Sequence, residues 1–148
     1  MSSARRRSRE LALQGLYQWQ FTGGDAPQIL KDLSELEGFE RADRAFLEAE
    51  LTGTLAEAQG LREQLEPLAD RKWEELSPVE RAILLLGAWE LTHQMEIPYR
   101  VTINEAIELG KKFGATDGHK YVNGVLDKLA GAVRPEEVAE KRKQRNER

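Results

Sequence analysis

The alternation of hydrophobic and polar positions along this chain has a helical period throughout. Its most apolar stretch is Ser77 to His93, SPVERAILLLGAWELTH. Val79, Ile83, Leu86, Gly87 and Glu90 fall on one side at helical spacing, while Leu84, Leu85, Trp89 and Leu91 spread apolar groups around most of the circumference. A helix apolar nearly all round is a buried central one, and this one is too short and too interrupted by charge to span a membrane. Ser77 suits the N-cap, Pro78 the first helical position and Glu80 the carboxylate of a capping box. Glu90 is an acid within an apolar arc and needs a partner. Arg100, or helix-start amides after Tyr99, are the candidates.

Around this helix the pattern predicts others. Ala4 to Phe21 is amphipathic: Ala12, Leu13, Gly15, Leu16 and Trp19 form a packed arc, and Arg6, Arg7, Glu10, Gln14 and Tyr17 gather opposite it. Arg5 and Arg9 lie nearer the apolar arc, at an end where their stems can still reach water or phosphate. TGGDAP, residues 22–27, is a loop, and a short helix follows from about Gln28 to Leu36. From Asp43 to about Leu65, apolar residues recur at three and four, predicting a long helix whose Glu residues face solvent and which Gly60 could interrupt. Trp73, in a short helical piece before Leu76, is read as core or interface. Pro98 ends a connector, and Thr102 to Glu105 reads as a second capping box. Thr116 or Asp117 can cap a last helix with Val122, Val125, Leu126 and Leu129 inward and Lys120, Asn123, Gly124 and Asp127 outward.

The expected architecture is all-α, a compact bundle of about seven helices in two three-helix-like lobes around the buried central helix. One domain covers residues 1–134, with lobes at about 1–66 and 67–134. Residues 135–148 form a charged tail without an apolar face, expected to be disordered.

Composition narrows the chemistry. The chain has 148 residues, enough for one sizeable core. A net charge of -4 confines any nucleic-acid site to a local patch. Without cysteine there is no disulfide, thiolate metal site or cysteine nucleophile. His93 and His119 stand in no metal-ligand pattern, GATDGHK at 114–120 fails as a phosphate loop on spacing, and no nucleophile elbow occurs. These absences favour a binding module without catalysis, cofactor or metal, and the lack of a leader or membrane segment favours the cytoplasm. The cations, amide and ring on the first helix suit phosphates and unpaired bases, although a basic face can equally be merely solvated.

Three stretches carry a resemblance: ARRRSRELALQGLYQWQ at 4–20, LSPVERAILLLGAWEL at 76–91, and PYRVTINEAIELGKKFGATDGHKYVNGVLDKL at 98–129. In this order they resemble the NusB family of bacterial transcription antitermination factors. The resemblance implies an all-helical fold of two small bundles and binding to the boxA segment of ribosomal RNA leader transcripts together with ribosomal protein S10 (NusE). Other Nus factors and RNA polymerase complete the assembly. It places Arg5, Arg6, Arg7, Arg9, Gln14 and Tyr17 at the RNA surface, completed by Lys120, Tyr121 and Asn123. Glu80, Arg81 and Leu85 fall at positions near ribosomal protein S10, and Asp117 at one whose change affects antitermination; Glu80 and Asp117 are equally good caps. Departures from the family pattern are Gly110 for Ala, Tyr121 for Phe and Gly118 for Ser. The rival reading is a self-associating helical scaffold whose basic helix makes protein contacts, since some family members form homodimers when free.

Overall fold

In the computed structural model, which describes residues 3–114 and 118–147, the central helix runs from Pro78 to His93 and begins as its sequence predicts. Ser77 Oγ accepts from the Glu80 amide at 3.1 Å, and the Glu80 carboxylate accepts from the Ser77 amide at 3.1 Å. Every residue from Ala82 to Leu91 is buried.

The described residues form seven α-helices and no strand: α1 Ser3–Thr22, α2 Ala26–Leu33, α3 Arg44–Leu65, α4 Pro78–His93, α5 Tyr99–Lys112, α6 Gly118–Val133 and α7 Pro135–Asn146. Three short 3-10 turns, Phe39–Arg41, Glu66–Leu68 and Trp73–Glu75, punctuate the links. Helix α4 packs against α1 and α3 on one side and against α5 and α6 on the other. It is the shared wall of both groups, which is why it can be apolar nearly all round. No helix is long and apolar enough to cross a membrane among the described residues.

The core contains Leu11, Leu13, Leu16, Leu47, Leu51, Ile83, Leu84, Ile103, Val122 and Leu126. Trp73 is buried, with the Arg62 guanidinium 5.5 Å from its ring centre. Close approach of α3 and α4 depends on Gly53: a Cβ there would lie 2.2 Å from the Trp89 indole. The indole nitrogen donates to Glu57 at 3.2 Å, and Glu57 also pairs with His93.

Several expectations change. The short second helix is Ala26–Leu33, started by Asp25, whose side chain accepts from the Gln28 amide at 3.0 Å. Helix α5 begins at Tyr99, so Thr102 and Glu105 lie inside it and make no capping box. Its Tyr99 amide is taken instead by Glu137 of α7 at 2.8 Å, a cap supplied from 38 residues away. The tail is helical from Pro135 to Asn146 and anchored by buried Val138. Ahead of it Arg134 is buried, and its guanidinium donates to the carbonyls of Glu90, Leu91, Gln94 and Ile97. These include carbonyls at the end of α4 that lack a helical partner, so one charged side chain closes the helix. Glu50 and Glu57 also depart from a purely solvated face on α3, since Glu50 is fully buried and Glu57 holds Trp89.

Candidate nucleic-acid interface

Four arginines enter α1 within five residues, and the fold gives them different surroundings. Arg5 has 40% of its side chain exposed, lies 4.6 Å over the Phe46 ring and is 3.9 Å from Asp43. Arg6 is the most exposed at 51%, but its Nε and Nη2 fork onto Glu105 of α5 at 3.1 and 2.7 Å. Arg7 reaches across to the Glu37 carbonyl at 2.6 Å and pairs with Glu10 at 3.2 Å.

Arg9 is the partner that Glu90 requires. Its Nε and Nη2 meet the Glu90 carboxylate at 3.0 and 2.5 Å, and Nη1 lies 3.6 Å from Glu105. Thr102 Oγ1 donates to the same Glu90 oxygen at 3.1 Å. With 2% of its side chain exposed, Arg9 cannot touch a phosphate outside the fold, which corrects its expected place at the RNA surface. Nor is Arg100 the partner of Glu90, for it lies 3.7 Å from Asp127. The physical reason is the helix phase: Arg9 lies between buried Ser8 and Leu11 on the side facing α4 and α5. Burial disfavours the Arg9 charge, but the hydrogen bonds and charge of Glu90, then the charges of Glu50 and Glu105, outweigh it and raise its pKa.

Glu50 is a buried acid that periodicity alone did not reveal. Neither of its oxygens has a hydrogen-bond partner. Burial first, then the neighbouring Glu90 charge, push its carboxyl well above the ordinary range, against a smaller opposing pull from Arg9. Its place one helical turn after Phe46 and Leu47, on the same face as these apolar residues, was the available signal.

Further along α1, Gln14 is half-buried and Tyr17 exposed. On α6, Lys120 is exposed while Tyr121 and Asn123 are half-buried. The Arg71 guanidinium covers the Tyr121 ring, 4.6 Å from its centre, and the ring also packs against the hydrophobic core. Burial raises the Tyr121 pKa. The start of α4 links these two sets. Val79 borders the groove beside Tyr17, and neighbouring Glu80 lies 3.7 Å from Arg71.

The residues expected near ribosomal protein S10 are mostly engaged within the chain. Glu80 is buried in its capping box. Arg81 donates to the carbonyls of Trp73 and Glu74, both at 2.9 Å, and so ties the preceding turn to α4. Leu85 is buried at 3% exposure and lies at the base of a groove with Trp19, Leu55 and Trp73, so it does not stand out as a surface anchor. Asp117 lies outside the described residues.

An all-α fold with cations, amides and an exposed ring on one face has the form of a helical nucleic-acid-binding adaptor. Comparison with known proteins makes this specific. The chain belongs to the NusB family, which it matches over residues 6–131. It is 57% identical to the transcription antitermination protein NusB of Cupriavidus pinatubonensis, over 95% of this chain and 84% of that protein. Identity with NusB of Dechloromonas aromatica is 56%, over 93% and 84%. Among solved structures, T. maritima NusB superposes with a TM-score of 0.80 at 32% identity, covering 95% of this chain and 99% of that one. A chain from a complex of antitermination factors NusB and NusE with double-stranded RNA gives a TM-score of 0.77 at 21% identity, covering 89% and 99%, a likeness of fold.

Proposed function

We propose that this protein is a non-enzymatic transcription antitermination factor of the cytoplasm that binds boxA RNA of ribosomal leader transcripts together with ribosomal protein S10. Through that pair it joins other Nus factors on RNA polymerase. The observation that carries the reading is the polar face of α1, where Arg6, Gln14 and Tyr17 set charge, amide and ring along one side of the helix with the part-exposed Arg5 at its start, in a chain of the NusB family. Cations on such a face hold phosphates, while amides and rings suit unpaired bases. Lys120, Tyr121 and Asn123 extend it onto α6. Glu80, Arg81 and Leu85 then act on ribosomal protein S10 by fixing the start of α4 and the groove beside it, and Asp117 is assigned to the same partner.

The test is binding to a boxA oligomer and to a scrambled one across a salt series, with and without ribosomal protein S10. Each phosphate contact on a single strand contributes about -0.7 to the slope of log K against log salt. Arg5→Ala with Arg6→Ala should flatten the slope by about 1.4 and weaken both oligomers alike. Equal affinity for the two oligomers by the parent protein, with ribosomal protein S10 present, would refute the boxA assignment.

A further inference from the structure

We propose that the groove between α1 and α2 is a nucleobase pocket, which an unstacked base of single-stranded RNA enters beside the cationic start of α1. The inference rests on the RNA-binding reading above and assigns its base-holding subsite. The groove has a volume of about 660 Å³. Tyr17, Phe21, Leu36 and Phe113 line it, with Gln14 and Gln18 among its polar groups. Among the described residues four large hydrophobic side chains are exposed, and Tyr17, Phe21 and Leu36 are three of them. An apolar patch gathered on one concavity and edged by polar groups marks a binding surface.

Its chemistry favours a base over an apolar protein segment. Tyr17 and Phe21, one helical turn apart, hold their ring centres 5.2 Å apart at 57°, a fixed aromatic corner against which a planar ring can stack. Gln14 and Gln18 offer donors and acceptors, which an aliphatic side chain would leave unanswered and a base edge can meet. Two cations lie next to residues of the groove wall. Arg7 bonds to the Glu37 carbonyl next to Leu36, and Lys112 Nζ lies 5.8 Å from the Phe113 ring. Both pair with the single carboxylate of Glu10, at 3.2 and 2.7 Å, so these two cations share one neutralising charge and keep donor capacity for a phosphate. This surface therefore provides for ring, edge and phosphate of one nucleotide.

The experiment places 2-aminopurine at successive positions of a boxA oligomer, with ribosomal protein S10 present, and measures fluorescence and affinity for the parent, Phe21→Ala and Leu36→Ala. Both residues are exposed, and thermal melts confirm that the variants fold. One position should respond strongly in the parent and lose that response in Phe21→Ala, with affinity falling about 5- to 100-fold and the salt slope unchanged. Leu36→Ala should fall in the same direction by less. Parent-like binding and response in both variants overturns the pocket while leaving the boxA assignment intact. A parent that binds no boxA RNA brings down both. Gel filtration runs alongside: a change of oligomeric state in Phe21→Ala with RNA binding intact would identify a second copy as the occupant and overturn the proposal.

Discussion

Replacing Arg9 with Gln separates the structural role of this arginine from the phosphate contact its neighbours suggest. The substitution strips Glu90 of two hydrogen bonds, at 3.0 and 2.5 Å, and leaves that carboxylate 2% exposed with the Thr102 hydroxyl still donating to it. Glu105 loses a cation 3.6 Å away and keeps Arg6. Breaking a buried pair from one side costs about 3 to 5 kcal/mol, because the remaining charge is uncompensated where water cannot reach it. That is a large share of the roughly 5 to 15 kcal/mol by which a domain is stable. Urea unfolding followed by circular dichroism should show a lower midpoint with little change in slope. Arg5→Gln, at an exposed site, should stay within about 0.5 kcal/mol. Replacing Arg9 and Glu90 together by Met should cost less than Arg9→Gln alone, since neither charge is then left unpaired. RNA binding supplies the second readout: folded Arg9→Gln should keep the parent salt slope. A variant of parental stability that lost about 0.7 from that slope would refute the reasoning and return Arg9 to the phosphate surface.

Glu50→Gln tests the neighbouring acid. Because its folded pKa is raised above the unfolded value near 4.5, the folded state holds a proton that the unfolded chain releases, so Glu50 makes stability fall as pH rises from about 4.5 through the folded value. Each pH unit within that window removes up to about 1.4 kcal/mol; Glu50→Gln should lack this loss and be the more stable form at pH 7, and identical pH profiles in urea would sink the assignment. Gly53→Ala should destabilise by about 1 to 3 kcal/mol by driving a methyl into the Trp89 indole, with a near-parental thermal melt as the refuting result. Arg81→Glu should lower both the melting temperature and capture of ribosomal protein S10, because it releases the turn at Trp73–Glu75; loss of capture at constant melting temperature would show a direct contact instead.

What the sequence determined was the run of local decisions. Helical period, the Ser77–Pro78–Glu80 start and the Asp43 start of α3 each involve residues within one or two turns, so their physics is complete in a short window. The buried status of α4 was legible for the same reason, since no amphipathic face was left to point at water. The three family-like stretches also singled out Gln14 and Tyr17 of α1 as candidates. The tertiary structure alone decided which charges are spent inside. Arg9 and Glu90 are 81 residues apart and Arg6 and Glu105 99 apart, so nothing local names the acid that each arginine meets. Arg134 and Glu137 close the end of α4 and the start of α5 from beyond α6, which made a charged tail into a helix and moved the start of α5 back to Tyr99. Ion pairs and caps depend on proximity in space and on the exclusion of water. Periodicity records only which side of a helix is apolar, so the partners of its buried charges emerge when the helices meet.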